Sequence, residues 1–436
     1  MVKVIAVTMD AHKPLPKSYL IASRLLRQMD GQKGSLNSLI TSVNKNGNNI
    51  KQIYALIMKT IQNLKIIKQM VNSIDTDSSG NCDEFLTQIL IADLMFGKRL
   101  EGIRNVPQVA HIVSFENKFK QILKNNTGKG GSAGSDDRVI VRYIRVNLIK
   151  TTLKKVMRKL VKRDFKQIEY NKSDITFEQF KELVVNLKEN DFLIDYDFQN
   201  DLLVFHINST KGLQELKLFT ESKIVMQDKA SLIAVECLQL VPEMTILDVC
   251  CAPGMKTTAI ASRVKNNATI ISYDKSEERI HEMETIIEKN GVNCCQINCR
   301  DFTSVTAEEL SSIGTIDAIL LDPSCSGSGM NNRVDYRKGG EDKGRLYRLA
   351  SFQTRMLCHA MSLQPKRIVY STCSLHLIEN ENVIKSVFRE SEFANDYSVV
   401  HALPQWPTRG VGDYEFASKC IRSNATSTLT NGFFYG

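Results

Sequence analysis

No stretch of this chain approaches the roughly 18 apolar residues that a bilayer-crossing helix needs, so no membrane span is expected. The opening residues, MVKVIAVTMDAHKPLPK, lack a charged start followed by an apolar core and a small-residue cleavage site, which argues against secretion. Among 11 cysteines there is no CxxC spacing, so no structural zinc site is expected. The count is odd, and the adjacent pairs Cys250–Cys251 and Cys294–Cys295 do not easily cross-link within themselves. Most of these thiols should therefore be small buried groups in a reducing compartment. Neither a GxGxxG fingerprint nor a GxxxxGK[ST] phosphate loop is present. Asp75, Asp77 and Gly80 begin like a calcium loop, but the position that needs a bidentate glutamate is Leu86. His359 and His376 form no ligand spacing either, and no metal is expected.

What is present is ordinary globular material: 436 residues, 42% apolar and 24% charged, enough for two or three domains. The net charge of +9 is unevenly placed: residues 1–135 hold 18 Lys and Arg against 9 Asp and Glu, and the remainder holds 39 of each. A basic N-terminal region on a neutral C-terminal one suggests a polyanion-binding appendage beside a catalytic core. Apolar residues at three-to-four spacing around Tyr19–Leu26, Ile53–Ile66 and Phe85–Leu94 predict a helical N-terminal region over 1–126. The Gly- and Ser-rich stretch 127–137 reads as a linker. Residues 138–222 read as a small α+β unit, with strands at 142–146, 194–196 and 202–206. Its helix over 151–163 places Leu153, Val156, Met157, Leu160 and Val161 on one stripe and Lys and Arg on the other. Such a helix is usually a packed element with a solvated face; beside a nucleic-acid enzyme the basic face becomes a phosphate-contacting surface.

From 223 to 436 short apolar runs alternate with helical segments. Strands are expected at 246–249, 269–273, 294–297, 318–321 and 367–371, and a helix over 276–290 is capped by Ser276 and stopped by Gly291. This pattern predicts a doubly wound, mainly parallel sheet whose ligands bind beyond the carboxyl ends of its strands. The first strand ends in Cys250, Cys251, Ala252, Pro253, Gly254, Met255 and Lys256, which alone would read as an ordinary strand-to-helix turn. It is followed by Asp274 at the second strand end, placed for ribose hydroxyls, and by Asp301 after the third, placed for an adenine amino group. The fourth and fifth strands end at Asp322 and Cys325 and at Cys373. A thiolate there can add to C6 of cytosine and turn C5 into a nucleophile toward a methyl donor, while an acid on N3 and the exocyclic amine stabilises the developing charge.

The runs CCAPGMKT, SYD, RDF, LLDPSCSGSGM and VYSTCS, with Val225–Ser231 ahead of them, resemble in order and spacing the motifs of the Sun-type RNA cytosine-C5 methyltransferases. NCCQINCRDF, DPSCSGSGM and the ending TNGFF are most similar to the eukaryotic branch acting on large-subunit (28S/25S) ribosomal RNA. The resemblance implies a class I, Rossmann-like α/β domain that uses S-adenosyl-L-methionine, preceded by the small α+β unit and the helical region. It implies Cys373 as nucleophile and Cys325 as the residue aiding product release. It places residues 250–256, Asp274, Arg279 and Asp322 at the cofactor and Lys256 beside the reacting centre. An RNA partner, ribosomal RNA, and a nuclear, nucleolar location follow from it. Three departures stand out: the family's Pro-Cys is Ser324-Cys325 here, Cys251 replaces an alanine, and the last strand is shortened at Gly436, which is expected to weaken the sheet. Two other readings remain open. A DNA cytosine-C5 methyltransferase would use the motif-four cysteine and need no Cys373, and a ribosome-assembly protein would keep the fold without activity.

Overall fold

The computed structural model describes residues 14–30, 39–40, 43, 49–74, 83–128, 141–330 and 342–436. The expected linker from 129 onward and the calcium-like loop at 75–82 lie outside them. The described chain falls into a helical N-terminal unit and a larger C-terminal unit.

In the first unit, α1 (Lys17–Asp30), α2 (Ile50–Gln62), α3 (Leu64–Val71), α4 (Glu84–Phe96), α5 (Pro107–Ser114) and α6 (Glu116–Gly128) share one apolar core. Helix α4 is its centre: every residue from Leu86 to Leu94 is buried, which its nearly all-round apolar sequence demands. Its start is capped by Asp83, whose carboxylate accepts from the Phe85 N–H. The buried Asp93 accepts from Tyr19 Oη at 2.8 Å, joining α4 to α1.

The second unit holds two sheets. The smaller runs in the order β2 (Lys166–Gln167), β3 (Asp191–Ile194), β4 (Leu202–His206), β1 (Val141–Val146), β5 (Ile224–Met226), with α7 (Leu153–Val161) and α8 (Phe177–Val185) beside it. Three expectations shift here. Strand β3 covers 191–194 rather than 194–196, because Asp195 turns the chain by accepting from the Asp197 and Phe198 N–H groups. Val161, expected on the buried stripe with Val156 and Leu160, is 53% exposed, since it is the last helical residue and is turned away from the core that holds its neighbour Leu160. Strand β5 pairs with β1, so the small sheet extends to Met226, past residue 222.

The larger sheet has seven strands in the order β11 (Ile421–Ser423), β12 (Phe433–Tyr435), β10 (Ile368–Thr372), β9 (Ala318–Leu321), β6 (Thr245–Val249), β7 (Thr269–Asp274), β8 (Cys295–Cys299). Strands β6 to β10 are parallel, whereas β12 runs antiparallel to both its neighbours. Helices α9 (Lys229–Cys237), α10 (Met255–Arg263), α11 (Glu277–Asn290), α12 (Lys343–Ser362) and α13 (Glu381–Glu390) accompany it. Ser276 caps α11 through the Arg279 N–H, and Gly291 stops it at φ 73°, as the sequence implies. The final strand is short but held on both sides, and Gly436 exchanges two backbone bonds of 2.9 Å with Tyr370, so the weak edge expected there is not seen. Strand order reverses between β6 and β9, which opens a crevice beyond their carboxyl ends.

Candidate functional site

The loop after β6 is shaped by its backbone. Cys250 lies in the left-handed region at φ 59° and Gly254 at φ 92°. A Cβ on Gly254 would also stand 2.9 Å from Met283 Cγ, so only glycine suits this start of α10. Asp274 closes β7 beneath the loop. It accepts from the Ala252 N–H at 3.3 Å and the Ser276 N–H at 3.0 Å, and pairs with Arg279 at 3.1 Å. The carboxylate read as a ribose acceptor thus also braces the loop, while Arg279 itself is exposed.

Two adjoining cavities lie at this edge. The first, ≈250 Å³, is lined by Asp274, Arg279, Asp301, Phe302, Phe352 and Met356 among others. Asp301 caps a short 3-10 turn, and the Thr303 hydroxyl and N–H hold its carboxyl below the usual range. The second, ≈400 Å³, is lined by the 250–256 loop together with Asp248, Asp322, Cys325 and Cys373.

In that second cavity Cys325 Sγ and Cys373 Sγ are 3.1 Å apart. The hydrogen bond to Cys373, reinforced by burial, raises the Cys325 thiol well above its ordinary pKa. Lys256 Nζ meets Asp322 Oδ2 at 2.5 Å, and Asp322 Oδ1 accepts from Ser371 Oγ at 2.9 Å. Burial opposes the Lys256 charge, but Asp322 outweighs it, with Cys373 adding to the effect, and the ammonium is held above its usual pKa. Phe433 of β12 lies under this ammonium, 5.5 Å from ring centre to Nζ. Structure therefore brings together Lys256, Asp322, Cys325 and Cys373, and seats Asp274 and Asp301 in the neighbouring cavity. Among the other loop thiols, burial pushes Cys250 up to about 12, and Cys251 is turned inward against Met283 Sδ at 3.4 Å.

Residues 235–435 match the family described as 16S rRNA methyltransferase RsmB/F, and residues 140–227 match the ferredoxin-like domain of NOL1/NOP2/Sun domain family member 5. A Mus musculus protein named 28S rRNA (cytosine-C(5))-methyltransferase is 31% identical over 433 residues, covering 95% of this chain and 89% of that protein. This chain belongs to the Sun family of ribosomal-RNA cytosine-C5 methyltransferases. The Caenorhabditis elegans 26S rRNA (cytosine-C(5))-methyltransferase nsun-5 is 32% identical over 337 residues, 76% of this chain and 74% of that one. In fold, the crystal structure of PH0851 superposes with a TM-score of 0.60 at 17% identity, covering 98% of this chain and 99% of that one. Membership of the Sun family sets aside the DNA-methylating alternative.

Two carboxylates of this Sun-family site escaped the sequence reading. Asp248, 1% exposed, is the penultimate residue of β6, with Oδ2 accepting from Thr257 at 2.5 Å and Oδ1 without a partner among the described residues. Burial pushes its carboxyl up to about 7. An acid inside the apolar run 246–249 was the available signal. Glu379, fully buried, accepts from the Ser326 N–H at 2.8 Å, Ser374 Oγ at 2.6 Å and Gln353 Nε2 at 3.2 Å, so it ties the Cys325 loop to the Cys373 loop. Nothing periodic in the sequence marks it.

Proposed function

We propose that this enzyme transfers a methyl group from S-adenosylmethionine to C5 of a cytosine in large-subunit ribosomal RNA, through a covalent bond between Cys373 and C6. The observation that carries this reading is the meeting of two thiols at 3.1 Å beside a Lys256–Asp322 pair, next to a nucleoside-sized cavity. The named relatives from mouse and worm, both large-subunit rRNA methyltransferases, support the choice of RNA, and a nucleolar location agrees with it.

The residues fit the cofactor. Phe302, Phe352 and Met356 offer apolar walls for a purine, Asp274 and Asp301 suit ribose hydroxyls and an exocyclic amine, and the partnerless Asp248 Oδ1 suits an ammonium. When bound, S-adenosylmethionine supplies an electrophilic methyl group on a sulfonium. The loop 250–256 and Arg279 would hold it.

Cys373 Sγ forms the bond to C6 of a flipped-out cytosine, which must leave its stack to reach both thiol and methyl donor. Asp322 holds the N3 and exocyclic-amine edge, and the Lys256 ammonium offsets the negative charge spreading over the ring. After C5 is methylated its proton leaves to a base. The freed electron pair restores the C5–C6 double bond and expels the Cys373 thiolate, a release assigned to Cys325.

Trapping with 5-azacytosine RNA tests the assignment. Wild type should form a denaturation-resistant adduct and Cys373→Ala none, while Cys325→Ala should accumulate adduct even on ordinary RNA. Loss of the adduct in Cys325→Ala but not in Cys373→Ala would overturn it. Bisulfite sequencing of rRNA from cells lacking the gene should show one 5-methylcytosine missing from the large subunit.

A further inference from the structure

A basic groove of ≈1140 Å³ lies on the small sheet's side of the C-terminal unit. Five exposed cations of α7 and its last turn line it, namely Lys154, Lys155, Arg158, Lys159 and Lys162, while Leu153, Met157 and Val161 supply apolar lining. No Asp or Glu is among the lining residues, and none of the five cations forms a direct ion pair with an acid among the described residues, though Lys159 lies close enough to Glu221 to help Lys223 hold that carboxyl below its usual range. Lys150 and Lys223 border the groove and are already engaged, Lys223 with Glu221 and Lys150 with the Glu221 and Lys289 carbonyls.

Its position sets it apart from the catalytic cavity. The cysteines and Asp322 stand where the parallel strands end. The segment 147–150, which leads into the groove, is fastened where α10 and α11 finish, at the edge where the next strands begin. There Leu148 N donates to Ser262 Oγ and Asn147 Nδ2 to the Asn290 carbonyl, each at 2.9 Å. Helix α11 spans the sheet between the two edges with 14 residues, a length of roughly 20 Å at 1.5 Å per residue.

We propose that the α7 groove is a second RNA-docking surface, binding the phosphodiester backbone at the sheet edge opposite the one where the reacting cytosine sits. It rests on the reading of an RNA substrate and adds where the rest of that RNA is held. Cations recurring on every helical turn suit a row of phosphates, and the concave shape suits a strand rather than a flat lipid surface. Because the groove is remote from the thiols, it serves binding and leaves the chemical step alone. Substrates must then be long or folded enough to reach both edges.

The test is a full-length variant carrying Lys154→Gln, Lys155→Gln, Arg158→Gln and Lys159→Gln, all at exposed positions. With transcribed large-subunit rRNA as substrate, KM should rise at least tenfold with kcat unchanged. The log–log salt dependence of rRNA binding, measured without cofactor, should flatten by about 3 for four lost phosphate contacts. Unchanged KM and salt slope, or a fall in kcat at constant KM, would overturn the proposal. So would retained RNA affinity with lost binding to phosphatidylserine vesicles, which would make this a membrane surface. If wild type binds rRNA but does not methylate it, the substrate reading fails, and the salt slope still decides the groove.

Discussion

Asp248 shows how one side chain links burial to pH. Its acid form suits a site that burial has made apolar, with a pKa pushed up to about 7. Below about pH 4 the unfolded chain also carries the proton, so the group costs nothing. As pH rises toward 7 the unfolded carboxyl ionises first, and folding stability falls by up to roughly 4 kcal/mol. In cofactor-free protein, Asp248→Asn should therefore gain stability relative to wild type between pH 4 and 7 and level off above. Denaturant melts across that range check it, and a pH-independent difference would contradict it. An ammonium bound at Oδ1 should shrink the effect, because it favours the ionised acid.

Glu379 acts at the scale of elements. It sits before α13, and its three donors come from the loop after β9, the loop after β10 and α12. Nearby, Gly329 donates to the Cys373 carbonyl at 2.9 Å and accepts from the Gly432 N–H at 2.7 Å, so the last hairpin is stitched to the same loops. Glu379→Ala removes the acceptor shared by these three donors; Gln353 Nε2 keeps the Ser324 carbonyl at 3.0 Å and Ser374 Oγ keeps its serine neighbours, but a buried acceptor lost at the junction costs about 1–3 kcal/mol. The variant should lose about 1–3 kcal/mol in urea melts and form less azacytosine adduct. Full adduct yield at reduced stability would mean that the thiols keep their spacing without it. Gly329→Ala is the backbone counterpart: its Cβ would lie 2.0 Å from the Gly432 carbonyl oxygen. Neither backbone can yield cheaply, so loss of the folded protein from soluble expression is expected.

Across the whole C-terminal unit, the two sheets are joined by polar groups as well as by a shared core. Arg145, fully buried, donates to Gln227 Oε1 at 2.6 Å and to Thr258 Oγ1 at 2.9 Å, while Gln227 Nε2 reaches the Met255 carbonyl at 3.0 Å. Burial lowers the Arg145 guanidinium to about 10, partly offset by Asp201, so it stays charged at neutral pH. Tyr143 Oη reaches the Leu429 carbonyl at 2.9 Å, and Lys229 lies between Asp195 and Asp197 at 3.0 and 2.6 Å. A charge buried across this junction makes separation of the sheets costly. Hydrogen exchange should accordingly give β1 and β4 the same opening free energy as β6 and β9; a lower value for the small sheet would mean that it opens alone.

Local signals were enough for much of this architecture. Apolar runs of four to six residues separated by capped helices predict parallel strands, and β9 falls where such a run lies, because it is buried along its length. Gly254 and Gly291 mark turns through their positive φ, a property of the residue itself. The sequence alone also determined the family and the order of its motifs, since spacing along a doubly wound sheet places each motif at one strand end. Only the tertiary structure decided which side chains meet. Cys325 and Cys373 stand 48 positions apart in sequence, and their contact depends on β9 and β10 being neighbours. The same holds for the partnerless oxygen of Asp248, for Glu379 beneath both cysteine loops, and for the placing of α7 at the far edge. The physical reason is that burial and charge pairing depend on neighbours brought in by the fold, whereas capping, turns and periodicity act within a few residues.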